Sequence, residues 1–232
     1  MNPMPAIGAA ILAASAIIGL TTVAAKAAGD VVVELFQSQG CSSCPPANAN
    51  VNALSTRGDL LVLSFAVTYW DRLGWKDTFA KPEYTNRQYD YARGLGNGNV
   101  YTPQVVLNGR QDLTGINRGE LEGAIARAPR ISAQLLSLDA AGLSVHAGAP
   151  PRAGADVWLV RYDPRMIDVP IQAGENGGRT LPHTNIVREL TRIGVWTGAA
   201  RVYPLPPPVA GLQTAILVQE SRGGPLIAAL KL

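Results

Sequence analysis

Two cysteines stand three positions apart, Cys41-Ser42-Ser43-Cys44, directly after a strand-like run and before a helix-like one. Val31-Val32-Val33-Glu34-Leu35-Phe36 is β-branched and apolar over a strand's length and reads as a buried strand. Gln37 to Gly40 turns the chain, and after Pro45-Pro46 the stretch Ala47 to Leu54 reads as a helix. Prolines suit a first helical turn, where an N–H has no partner in any case. The first sulfur, on Cys41, is then expected beside the unpaired N–H groups at the positive end of a helix dipole, which favours thiolate over thiol. Cys44 is expected one turn on, beneath it on the same face. Cys41 would attack a substrate disulfide and Cys44 would resolve the mixed disulfide. Small Ser42 and Ser43 are expected to leave the first sulfur accessible. The bland alternative is an inert bridge, but a two-residue spacer closes a tiny loop and makes a poor staple.

These are the only two cysteines in 232 residues, so a multi-bridge scaffold is excluded. With only two histidines besides, few ligands remain for a metal site. A net charge of +3 from 20 basic and 17 acidic residues is too slight and scattered for a nucleic-acid partner. Residues 6–25 are almost unbroken Ala, Ile, Leu, Gly and Val. Such a run fits the apolar region of a secretory signal, with cleavage between Ala25 and Ala28 preferred over a retained anchor. A periplasmic or secreted mature chain is therefore expected, the alternative being one anchored and facing the periplasm. Membrane contact would come only through the uncleaved segment. In an oxidising space a cysteine pair persists as a disulfide.

Beyond the motif, Leu60 to Val67 reads as a strand, Tyr69 to Trp75 as an aromatic loop, and Pro82 to Leu95 as a helix ended by Gly94, Gly96 and Gly98. Thr102-Pro103 precedes the strand Gln104 to Leu107, Asn108-Gly109 marks a hairpin, and Glu120 to Ala128 reads as a short helix. This is an α/β layer with a mixed sheet flanked by helices. After Pro129, short strand-like runs alternate with turn residues: 131–138, 143–146, 156–162, 185–193, 201–203, 213–219 and 226–232. The division expected is a signal peptide over 1–28, an α/β domain over 29–129, and a β-rich, sandwich-like C-terminal module over 130–232 that packs on it.

Residues 30–129 resemble a thioredoxin-like domain. The resemblance rests on Val31 to Phe36, the Cys41/Cys44 pair, Thr102-Pro103, the hairpin Val105 to Gly109, and Gly115 to Leu121 before the last helix. It implies a loop proline, Pro103, that faces the pair through a cis bond, with Thr102 offering its backbone to an extended substrate. More narrowly, the chain is similar to a secreted bacterial family known only as domain of unknown function twelve-twenty-three. That similarity is carried by Glu34 to Pro46, Tyr69-Trp70-Asp71, Gly74 to Asp77 and Tyr101 to Gln104. It brings a fold and no established substrate. Three departures from thioredoxin stand out. The segment between Cys44 and Pro103 is longer, and no Trp precedes the pair. Glu34 stands one position from the buried acid of that fold, so a possible acid–base role for it requires a bulge.

Trp70, Asp71 and Trp75 read equally as loop packing over the sheet or as a substrate-contacting lip beside Cys41. In the second case Asp71 raises the Cys41 pKa or relays protons. His183 reads as a solvated strand residue, and His146 as plain alternation. Gly174-Glu175-Asn176-Gly177-Gly178-Arg179 reads as a glycine-rich turn rather than an anion nest. The function expected is thiol–disulfide oxidoreduction without a diffusible cofactor. It requires a protein or small-molecule thiol or disulfide substrate and a partner that restores the redox state. Whether the pair oxidises, reduces or isomerises depends on the relative stability of its two redox forms. Two alternatives stand beside it. One is a Cu(I) carrier using both thiolates, disfavoured because Met166 is the only methionine beyond the signal. The other is a non-catalytic interaction protein with a permanent disulfide.

Overall fold

In the computed structural model, residue 1 and residues 29–232 are described. The expected signal segment, 6–25, and its cleavage region up to residue 28 lie outside them. Seven apolar or buried residues form β1 (Val31–Gln37), and the chain then turns into α1 (Cys44–Asn52). This helix starts three residues earlier than Ala47 because Pro45 and Pro46 fit its first turn. There follow β2 (Leu60–Ala66), a 3-10 turn at Asp71–Leu73, α2 (Pro82–Leu95), the hairpin β3 (Gln104–Leu107) and β4 (Gln111–Leu113), and α3 (Arg118–Arg127). The side chain of Asn117 caps α3 by accepting from Glu120 N at 3.0 Å, which draws the helix start ahead of Glu120.

Alternation along β1 sorts the first half into two layers. Val31, Val33 and Leu35 pack with α1 and α3 through Ala47, Val51, Leu121 and Ile125. Val32 and Phe36 pack on the other face with Tyr84 and Tyr91 of α2. Gly94 does not end α2. A Cβ there would lie 2.1 Å from the Gly223 carbonyl oxygen, so this residue lets the helix touch a distant turn. Gly96, at φ +73°, is the left-handed cap.

The remaining strands are β5 (Leu136–Asp139), β6 (Gly142–Val145), β7 (Ala155–Asp163), β8 (Ile167–Pro170), β9 (Thr180–His183), β10 (Ile186–Trp196), β11 (Arg201–Tyr203), β12 (Gln213–Glu220) and β13 (Leu226–Lys231). They do not stand apart from the first half. One eight-stranded mixed sheet runs β13-β12-β7-β10-β2-β1-β3-β4, joined where β10 pairs parallel with β2 at Ile186 and Ser64. Without β10 the outer edge of β2 would present unpaired backbone groups, and the second half supplies the partner. The fold is mixed α/β with one large sheet and, among the described residues, three α-helices. A small sheet, β11-β6-β5, shares an apolar cluster with β7 and β12 through Leu143, Val145, Tyr203, Val157 and Ile216.

Two local expectations differ. The run 131–138 is a strand only from Leu136, and Ile131 instead makes an isolated antiparallel bridge with Asp30. Apart from His183, read as a strand residue, the ribbon β8–β9 has no counterpart in the sequence reading, because Pro170 and Pro182 argue against strands. A two-stranded ribbon tolerates them on its outer sides. Its apolar residues Val169, Ile171 and Leu181 pack with Trp75 and Phe79.

Candidate functional site

Cys41 and Cys44 form a disulfide with Cα atoms 5.4 Å apart. Cys44 opens α1, and its N–H donates to the Cys41 carbonyl at 3.2 Å, closing the turn that sets the sulfurs together. The turn is built by short-range bonds, Cys41 N–H to Ser38 O at 3.1 Å and Gly40 N–H to Ser38 Oγ at 3.1 Å.

The Thr102–Pro103 peptide is cis, as the resemblance implied, and it lies against the pair. The Thr102 hydroxyl donates to Cys41 Sγ at 3.4 Å and accepts from Trp70 Nε1 at 2.7 Å. Ser43 Oγ stands 3.3 Å from the same sulfur and 3.4 Å from the Thr102 carbonyl oxygen. Cys41, Cys44, Thr102, Pro103 and Trp70 are therefore brought together. Trp70 belongs to the site through its indole N–H, which orients the hydroxyl facing sulfur. Asp71 stands one step back: its Oδ1 accepts from Asp77 N at 3.1 Å and braces the aromatic loop.

Glu34 is displaced altogether. It shares a face with Val32 and Phe36, opposite the face that α1 covers. Its carboxylate accepts from Arg87 Nε at 2.6 Å and Nη2 at 3.0 Å, and from the Tyr91 hydroxyl. No bulge interrupts the pairing of β1 with β2, so the strand's period keeps this acid away from the sulfurs.

The main difference concerns access. Ser42 and Ser43 are exposed, yet Cys41 is 0% exposed. The glycine-rich turn after β8 is bonded to the backbone of the motif. Asn176 Nδ2 donates to the carbonyl oxygens of Gln39 and Cys41, both at 2.9 Å, and its Oδ1 accepts from Arg179 Nη1 at 2.7 Å. Glu175 Oε2 accepts from Ser42 N at 3.0 Å, a contact that holds its carboxyl below the usual range. Gly174 at φ +72° and Gly178 at φ +82° shape this turn, which side-chain-bearing residues would enter only with strain.

Further residues complete the surround. Gln39 binds the aromatic loop through every polar group of its side chain: Oε1 accepts from Trp75 Nε1 at 2.9 Å and Thr78 N at 3.2 Å, and Nε2 donates to Thr78 Oγ1 at 2.9 Å. Asp77 is buried and accepts from Gln39 N at 2.7 Å and Phe79 N at 2.8 Å. Burial pushes its carboxyl up to about 6 despite those bonds. Asn48, one turn beyond Cys44 on α1, donates to Gln37 Oε1 at 3.3 Å and lies 3.5 Å from His183 Nδ1. His183 is not solvated. It is 1% exposed against Phe79, and burial lowers its pKa to about 4. His146 is exposed. Glu175, Asn176 and His183 carried no local signal, because their partners lie more than 130 residues away in the chain.

The arrangement holds a buried, oxidised pair with a hydroxyl donor aimed at the first sulfur. Among the described residues no three His, Cys, Asp or Glu side chains gather as they would to hold a metal ion.

A match over residues 32–219 identifies the family described as "Protein of unknown function (DUF1223)". The chain belongs to this family. It is similar to protein AGR_C_4864 from Agrobacterium tumefaciens, whose crystal structure shares 31% identity over 90% of this chain and 96% of that one, with a TM-score of 0.70. A second solved structure, HBP35 of Porphyromonas gingivalis, covers 90% of this chain and 76% of its own at 11% identity, with a TM-score of 0.51, a likeness of fold alone. No curated protein matches.

Proposed function

We propose that the protein is a thiol–disulfide oxidoreductase whose first half is a thioredoxin-like domain, acting in the periplasm or after secretion. The observation that carries this reading is the Thr102 hydroxyl placed 3.4 Å from Cys41 Sγ at the edge of a Cys41–Cys44 disulfide. A structural bridge needs no such donor. A sulfur that becomes a thiolate does, because a charge-assisted hydrogen bond stabilises the anion more than the neutral form. The element order from β1 through α3, with the Thr102-Pro103 loop beside the pair, supports the thioredoxin-like comparison.

In the oxidised protein, a thiolate of a reduced partner attacks Cys41 Sγ. The Sγ–Sγ bond breaks, and Cys44 leaves as a thiolate and takes up a proton. The partner's second thiol, once deprotonated, attacks the mixed disulfide and releases Cys41 as the thiolate. The partner has lost two electrons and the pair has gained them; the reverse sequence oxidises a dithiol. Thr102 and the first-turn N–H groups of α1 stabilise the charge on Cys41 Sγ. The C-terminal half, beyond Pro129, supplies the turn bonded to the motif and part of the sheet.

The test is trapping. With Cys44→Ala, reaction with a disulfide substrate should accumulate a mixed disulfide at Cys41, and with Cys41→Ala it should not. Equal behaviour of the two variants defeats the proposal.

A further inference from the structure

We propose that Gly174 to Arg179 is a displaceable gate over the disulfide and that it favours polypeptide partners over small thiols. This rests on the oxidoreductase reading above. Cys41 has no exposed surface, so an attacking thiolate must first move whatever encloses it. The glycine-rich turn is held to the motif at three points: Glu175 on Ser42 N, and Asn176 on the carbonyls of Gln39 and Cys41. All three anchors on the motif side are backbone groups. The turn itself is nearly all exposed apart from Asn176. Its own bonds are local, Gly177 N–H to Gly174 O at 3.1 Å and Arg179 N–H to Asn176 O at 3.1 Å, and its base is tied to the ribbon where Gly178 N–H donates to Ile171 O and Ile171 N–H to Arg179 O, both at 2.8 Å. Its tip can therefore swing away about the Ile171 base while β8–β9 stays packed on Trp75 and Phe79.

Lifting the turn uncovers one donor, the Ser42 N–H, and two acceptors, the carbonyls of residues 39 and 41. The two carbonyls are buried and the Ser42 N–H is exposed, so an incoming ligand that brings donors to those carbonyls is favoured over one that leaves them to imperfect hydration beneath it. A polypeptide carries both kinds of group at regular spacing on its backbone. A small thiol reaches the sulfur without satisfying them. Glu175 and Asn176 thus act as specificity-determining residues, since they occupy the groups that a peptide would otherwise bind.

The experiment follows reduction of the Cys41–Cys44 disulfide in the full chain by dithiothreitol and by a reduced thioredoxin, quenching with a maleimide and counting labelled thiols by mass. Loss of the two buried bonds in Asn176→Ala is expected to speed reduction by dithiothreitol about 10- to 100-fold. Glu175→Gln, at an exposed site, should give about 2- to 5-fold. Arg179→Ala, which frees Asn176 Oδ1 from outside the fold, should fall between them, and it keeps the test alive should Asn176→Ala misfold. Arg192→Ala, which breaks only the exposed contact to Asp156 across β7 and β10, should leave the rate unchanged. Acceleration should be several-fold smaller with thioredoxin. Wild-type rates in all three turn variants overturn the gate while leaving the trapping result untouched. Equal acceleration with both reductants overturns the preference for polypeptides. Faster reduction without any mixed disulfide in Cys44→Ala keeps the gate and defeats the oxidoreductase reading instead.

Discussion

Arg87→Met should destabilise the protein by about 3–5 kcal/mol, and adding Glu34→Leu should restore most of the loss. The Arg87 side chain is 3% exposed and that of Glu34 0%. The guanidinium makes two bonds to Glu34, one to Gln219 Oε1 at 3.0 Å and one to the Tyr91 hydroxyl at 3.0 Å. It also lies over the rings of Phe65, Tyr91 and Trp158, 5.0 to 5.7 Å from their centroids. Bringing both charges out of water costs about as much as their attraction returns, so the pair as a whole contributes little. Removing one partner leaves the other charge buried and uncompensated, which is where the large figure originates. At about 2–4 °C per kcal/mol for a chain of this size, the single variant should melt about 6–20 °C lower. Thermal and urea unfolding of the wild type, Arg87→Met and the double variant form the assay. A loss below about 1 kcal/mol, or a double variant no better than the single, refutes the picture of a dry, mutually dependent pair. The same series tests the proposed exclusion of Glu34 from the disulfide chemistry. Glu34→Gln, assayed under folding conditions, should leave the rate of disulfide reduction within about twofold, because the carboxylate faces α2 and not the sulfurs.

The buried His183 predicts a pH effect. Its folded pKa of about 4 lies below the unfolded value of 6.5, so the unfolded chain binds the extra proton between these limits. Stability is thus full above about pH 6.5 and falls as the pH drops towards 4, by up to about 3 kcal/mol. Asp77, raised from 3.8 to about 6, works in the opposite sense over an overlapping window, gaining stability as the pH falls. Urea unfolding of His183→Leu and the wild type at pH 7 and pH 4.5 separates the two: the variant should lose less on acidification, and parallel losses would contradict the burial of a neutral imidazole. Gly94→Ala should destabilise by about 1–3 kcal/mol although alanine is the better helix former by about 1 kcal/mol, because its Cβ would press on the Gly223 carbonyl. A stabilised variant in thermal unfolding would show that α2 and that turn can part without cost.

Much of the first half was readable in order along the chain, since each element there depends on local composition. The β-branched run of β1, the proline-bearing start of α1, and the Asn108-Gly109 hairpin all carry their own signals, and Cys41 and Cys44 are close enough in sequence that their union needs no distant help. Thr102-Pro103 was placed by family resemblance rather than by its own residues. The prolines of β8 and β9 hid a ribbon that exists through packing on Trp75 and Phe79. The lone histidine of that ribbon looked solvated because strand alternation says nothing of what covers a face.

What the sequence settled by itself is the pair: two sulfurs three positions apart at a helix start, close enough for local geometry to join them. What only tertiary structure decided is whether anything can reach them. Ser42 and Ser43 are small and exposed, yet Cys41 is buried with its carbonyl held by Asn176, a residue 135 positions away, and Glu34 is removed from the site by the face on which it falls. Hydrogen bonds between backbone carbonyls and a remote side chain leave no trace in local composition, so the presence of the pair was legible and its burial was not.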